Sequence, residues 1–89
     1  MAGTKQKFAE FLRDSRVKAG LSQIEVAKSL GYSTSQFISN WERELAAPPV
    51  KALKRLGKMY SVSGEKLLDM LIAQNEETLR RQFKQSKNS

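Results

Sequence analysis

The sequence predicts an all-α protein, a compact five-helix bundle whose last helix extends past the bundle. Three observations lead there. Apolar residues recur at three- and four-residue spacings in five separate segments. Residues that start or stop helices separate those segments, among them Ser22, Gly31, the pair Pro48-Pro49 and Ser63. No stretch alternates apolar and polar residues in the manner of a strand. A chain of 89 residues makes one domain at most, with a feasible but small core.

The first helix is expected over about Lys5 to Ala19, with Phe8, Phe11, Leu12 and Ala19 on one face and Arg16 beside it. A lone arginine next to an apolar stripe usually carries its charge out to water. Ser22 opens the second helix. Its hydroxyl can accept from an orphan backbone N–H, and Glu25 three residues on completes a capping box. Val26, Ala27 and Leu30 form the apolar face, and Gly31 ends the helix where a positive φ carries no steric penalty. Tyr32 to Ser35 is a polar turn in which any of several hydroxyls can cap the third helix. In that helix Phe37, Ile38, Trp41 and later Leu45 mark one face; Ser35, Gln36, Ser39 and Asn40 fall on the other.

Pro48-Pro49 forces a stop, and Pro49 suits the first turn of a fourth helix running to about Tyr60. That helix is expected to bury Val50, Leu53, Leu56 and Tyr60. Gly57 inside it costs about 1 kcal/mol relative to alanine, which close approach of a neighbouring helix would offset. Ser63 caps the fifth helix, in which Leu67, Leu68, Leu71 and Ile72 continue the core. Leu79 and Phe83 follow Leu68 and Ile72 at helical spacing, with Asn75 on the same stripe, so the helix is expected to reach about Lys84. It either folds back on the first helix or pairs with a second copy. Residues 1–72 then make the bundle, and 73–89 a C-terminal helical extension and tail.

The stretch from Gly20 to Glu42 resembles the helix-turn-helix of the phage-repressor and Cro (XRE-type) family of DNA-binding proteins. Gln23, Ala27, Gly31, Ile38 and Trp41 carry the resemblance, which extends from about Phe8 to about Leu71. It implies a lambda-repressor-like bundle and a transcriptional regulator, such as a repressor, with duplex DNA as partner. The helix at about residues 34–44 would read base edges in the major groove, while the preceding helix crosses the phosphate backbone. Between Gly31 and Ile38 there is one residue more than usual: either the turn is longer, or Phe37 takes the inner position. The longer turn is preferred, because the other register buries Asn40 and displaces Trp41. Glu44 stands where members often carry glycine, so the third helix can continue to Ala46. The resemblance also implies that Arg16 pairs with Glu42.

Sixteen Lys and Arg against nine Asp and Glu leave a net charge of +7, which suits a polyanionic partner. The cations flank the third helix and are absent from its outer face. Phosphates position a protein on DNA and base edges specify the site, so a neutral reading patch ringed by cations fits that division. The base-reading candidates are Gln36 and Asn40, whose amides can bond adenine bidentately, and Ser35 and Ser39. The phosphate-binding candidates are Ser22, Gln23, Thr34, Arg43, Lys54, Lys5 and Lys7, and Gln23 can also brace a side chain of the reading helix.

The chain has no cysteine and no histidine, which removes thiolate and imidazole chemistry together. No paired carboxylates share an apolar face, so no enzyme, cofactor or metal is expected. MAGTKQKF holds no apolar run and no stretch reaches membrane-span length, so a soluble intracellular protein is expected, and the resemblance implies a cytoplasmic, nucleoid-associated one of a prokaryote or phage. The family reading implies a homodimer on two half-sites. The alternative is an antitoxin or anti-repressor type of interaction module that binds a protein partner through the C-terminal helix.

Overall fold

The computed structural model describes residues 6–86, so Lys5 lies outside the described residues. Five α-helices follow in order: α1 (Phe8–Lys18), α2 (Gln23–Ser29), α3 (Gln36–Glu42), α4 (Leu53–Tyr60) and α5 (Gly64–Gln85). A single 3-10 turn, Val50–Ala52, leads into α4, and no strand occurs among the described residues.

One core holds the helices together. Phe8 and Leu12 enter it from α1, Val26 and Ala27 from α2, Ile38 and Trp41 from α3. Leu53, Leu56 and Tyr60 enter from α4 and Leu67 from α5. Each large apolar side chain withdrawn from water this completely stabilises the fold by about 1.5–3 kcal/mol. α3 packs against α1 and α2, while α4 packs against α5 and α1. α1 thus joins the two halves.

The first four helices stop in the same way. Gly20, Gly31, Glu44 and Ser61 adopt positive φ of 75°, 90°, 65° and 57° just past the helix ends. The next N–H then reaches back to the last turn: Leu21 to the Arg16 carbonyl at 3.2 Å, Tyr32 to Ala27, Leu45 to Asn40 and Val62 to Gly57, each at 2.9 Å. This arrangement satisfies carbonyls that the helix leaves open. Glutamate and serine hold a conformation that glycine adopts without strain.

These stops correct several expectations. α3 ends at Glu42 and does not continue to Ala46, because the chain turns left-handed at Glu44. Leu45 therefore leaves the helical register and is exposed. Ala19 is exposed because α1 has ended at Lys18. Val50 is exposed because its segment is a 3-10 turn, whose tighter winding rotates it off the apolar face of α4. Ile72 is exposed because it lies on the flank of α5, away from Leu67.

Gly57 sits where helix α4 meets the start of α5. A Cβ there would stand 2.7 Å from the Val62 carbonyl oxygen and 3.0 Å from the Gly64 nitrogen. The close approach inferred for this glycine is therefore to the backbone entering α5. Ser63 caps that helix by accepting from the Lys66 N–H at 3.2 Å. α5 then runs unbroken for 22 residues, across the boundary expected after residue 72. It does not fold back: Leu79 and Phe83 stay exposed.

Candidate nucleic-acid interface

α2 and α3 pack against each other, and Ala27 of α2 is fully buried in the shared core. Ser22 caps α2 as its sequence demands. Its hydroxyl accepts from the Glu25 N–H at 3.1 Å, and its own N–H donates to the Glu25 carboxylate at 2.7 Å. Hydrogen bonding to the carboxylate from the Ser22 backbone N–H, and then from its side chain, favours the ionised form and holds Glu25 below its usual range. At the start of α3 it is Thr34 that caps, its hydroxyl accepting from the Gln36 N–H at 2.8 Å. Ser35 makes no capping bond.

The turn between them is the longer of the two alternatives. Ile38 and Trp41 point inward and Phe37 does not, being 51% exposed. The added residue is accommodated by aromatic stacking. The Tyr32 ring lies 4.7 Å from Phe37 and meets Trp41 edge-on at 6.0 Å, between centroids. Such pairs add about 0.5–1.5 kcal/mol beyond their burial.

The orientation of α3 is set by its last residue. Arg16 donates twice to the Glu42 carboxylate, Nε to Oε2 at 2.6 Å and Nη2 to Oε1 at 3.0 Å. Its remaining terminal nitrogen donates to the Leu21 carbonyl at 2.8 Å. Gln23 donates its amide to the same Glu42 Oε1 at 3.0 Å. One carboxylate therefore collects α1 and α2 onto α3. The hydrogen bond to Glu42 raises the Arg16 pKa above its ordinary value, outweighing burial. Burial, and then Glu42, raise that of Tyr60.

On the outer face of α3, Gln36 donates its amide to Asn40 Oδ1 at 3.0 Å. The pair still offers the Gln36 carbonyl oxygen as acceptor and amide N–H groups as donors. Ser39 lies on the same face and is half-buried, as are Ser35 and Asn40. Arg43 is exposed at the end of the helix, and Lys7 approaches from beyond α1, 3.9 Å from Glu44. Ser22, Gln23, Thr34 and Arg43 thus border the α2–α3 unit.

Lys54 stands elsewhere. Its backbone packs on Gly64, and its side chain lines a groove with Val50 and Leu68 on the α4–α5 side. Two residues at this surface escape reading from periodicity. Phe37, which spacing alone sets on one face with Ile38 and Trp41, is exposed beside Gln36, as the preferred longer turn requires; the single added residue in the turn is the available signal. Arg55, on α4, donates to the Ser29 carbonyl at 2.9 Å and closes the end of α2. No spacing signals that bond.

Among the described residues no helix is long and apolar enough to cross a membrane. The chain is similar to the HTH-type transcriptional regulator ImmR of Bacillus subtilis (strain 168), with 36% identity over 70 residues. The alignment takes in 76% of this chain and 54% of ImmR, so the chain spans about half that relative's length. Residues 12–67 match the helix-turn-helix family, a span that holds α2, the aromatic turn, α3 and the Arg16–Glu42 joint. The chain belongs to the XRE-type helix-turn-helix family.

Proposed function

We propose that the protein is a sequence-specific regulator of transcription that sets α3 into the major groove of duplex DNA. The observation that carries this is the bonded Gln36–Asn40 pair on the uncharged outer face of α3. A prearranged amide pair offers donors and an acceptor together, which matches the N7 and N6 edge of adenine. Ser35 and Ser39 make shorter, less discriminating contacts. Phe37, at the rim, suits a thymine methyl. Ser22, Gln23, Thr34, Arg43 and Lys7 hold phosphates, joined by Lys5 and, from a more distant place, Lys54. Family membership and the net charge of +7 support the reading.

The regulator acts in the cytoplasm as a homodimer on two half-sites about one DNA turn apart, the arrangement that two-fold helix-turn-helix proteins use. A second reading, a module that binds a protein partner through α5, is favoured by the exposure of Leu79 and Phe83. Selection from random duplex DNA, with sequencing of the bound fraction, tests the first reading. A two-fold motif with adenine at a position lost in Asn40→Ala is the expected outcome; recovery of unenriched DNA would overturn it.

A further inference from the structure

Beyond the core, α5 turns a polar face toward the loop that leaves α3. Leu71, Gln74, Thr78 and Arg81 follow one another at spacings of three and four residues, so they share one side of the helix. Leu71 is half-buried against the core, and Arg81 stands about 15 Å further along at 1.5 Å per residue. Facing them are Arg43 and the residues from Glu44 to Ala47, which the left-handed turn at Glu44 carries away from the end of α3. Between the two walls lies an open groove of about 620 Å³, with Lys7 also in its lining.

Charge in the groove is uneven. Three cations, Lys7, Arg43 and Arg81, line it with a single carboxylate, that of Glu44. Lys7 reaches Glu44 at 3.9 Å, but both side chains are exposed and such a contact contributes little. Among the described residues, Arg43 and Arg81 have no acidic partner. Arg80, the neighbour of Arg81, differs: its Nε lies 3.0 Å from the Glu76 carboxylate on its own helix. Cations gathered without counter-charge repel one another, and an anion placed among them removes that cost. The polar groups of the α5 wall suit an anion rich in acceptors. The Thr78 hydroxyl can donate; the Gln74 carbonyl oxygen is buried without a partner, which leaves the amide nitrogen as the end that can reach the groove.

We infer that this groove is a further seat for the DNA backbone, in which the Arg81 guanidinium, with Lys7 and Arg43, holds a phosphate beside the bases that α3 reads. The inference rests on the duplex-DNA reading proposed above and adds α5 to the surface that meets the duplex. Arg43 joins the two places. It is the C-cap residue of α3 and it lines the groove, so a duplex lying on α3 carries its backbone past the groove mouth. A guanidinium grips phosphate through paired N–H groups in a fixed fork, and phosphate contacts carry no base information. Arg81 therefore adds affinity and fixes the tilt of the bundle on the duplex, and leaves the choice of sequence to α3.

Binding of the full chain to a duplex of mixed sequence, followed by fluorescence anisotropy from low to physiological salt, tests this without knowledge of a preferred site. Arg81→Ala should flatten the plot of log association constant against log salt by about 0.9 per bound copy, and Arg81→Lys should restore the slope. Arg80→Ala removes the same charge one position away, from a side chain held by Glu76, and should change the slope by less than half as much. The melting temperature should stay unchanged in Arg81→Ala, because that side chain is exposed and unpaired. Equal flattening in Arg80→Ala and Arg81→Ala would reduce the effect to overall charge and overturn the inference. An unaltered slope in Arg81→Ala would overturn it too, and would leave the groove to an acidic peptide. An Arg81-dependent slope without enrichment of any sequence would uphold the groove and defeat only the sequence-specific reading. Absence of any duplex binding would end both.

Discussion

Arg16 and Glu42 stand 26 residues apart in sequence, yet their side chains share two hydrogen bonds, and the Glu42 side chain is only 3% exposed. Taking charges out of water is costly, so the intact pair contributes little net stability, while a broken one leaves a charge uncompensated. Arg16→Met alone should cost about 3 kcal/mol in urea unfolding. Arg16→Met with Glu42→Leu should cost less than the single change. Equal losses in the two would mean that the carboxylate is indifferent to its partner.

Tyr60 couples the same joint to pH. Burial first, then the nearby Glu42 carboxylate, push its hydroxyl above the ordinary value of 10.0, with Arg16 opposing. Above about pH 10 the unfolded chain releases a proton that the folded chain keeps. Stability present below that pH is therefore lost as pH rises. Tyr60→Phe should flatten the fall, which thermal melts between pH 8 and 11 would record.

Glu44 holds φ of 65° with a side chain that disfavours it. Glu44→Gly should raise stability by about 0.5–1 kcal/mol, less whatever the exposed Lys7 contact supplies. It also removes a negative charge next to Arg43, so DNA affinity at low salt should rise. A lower melting temperature would show that the turn depends on the side chain.

If each copy neutralises roughly three to five phosphates, the logarithm of the DNA association constant should fall against that of salt with slope near −0.9 per contact. Arg43→Ala should reduce that slope by about one contact. Lys54→Ala, at its distance from α3, should reduce it less. A titration series from low to physiological salt decides both; a flat line would end the case for phosphate contacts.

Gln36 and Asn40 should behave as a unit, because one orients the other. Asn40→Ala should cost about 1–3 kcal/mol at the best site and relax preference at one base position. Gln36→Ala combined with it should cost less than the two losses added together. Additive losses would mean that each amide reads its base alone.

Much of this architecture is legible in the residues, because caps and apolar spacing act locally. Ser22 with Glu25, Gly31 and Ser63 each announce a helix boundary within one turn of it. The exposed positions Val50 and Leu45 are not legible, since each depends on where a turn re-aims the chain. Glu44 hides its turn behind an unfavourable side chain. Of the interface, the amide pair and the cations around α3 follow from helical phase. Gln23 bracing the reading helix is among the expectations, while its choice of Glu42 and the Arg55–Ser29 bond depend on how helices meet, which spacing does not encode. The base and phosphate roles are for binding measurements to decide.

α3 has only seven residues, roughly half the length at which an isolated helix persists in water. Its shape is lent by α1 and α2, through Ile38, Trp41 and the Glu42 carboxylate. The amide protons of α3 should therefore exchange with deuterium at the pace of the whole bundle, not by local fraying. Melting of α1 or α2 should leave no competent α3. Degradation of the transiently unfolded chain would then switch the protein off in a single event, with no weakened intermediate left bound to a chromosome.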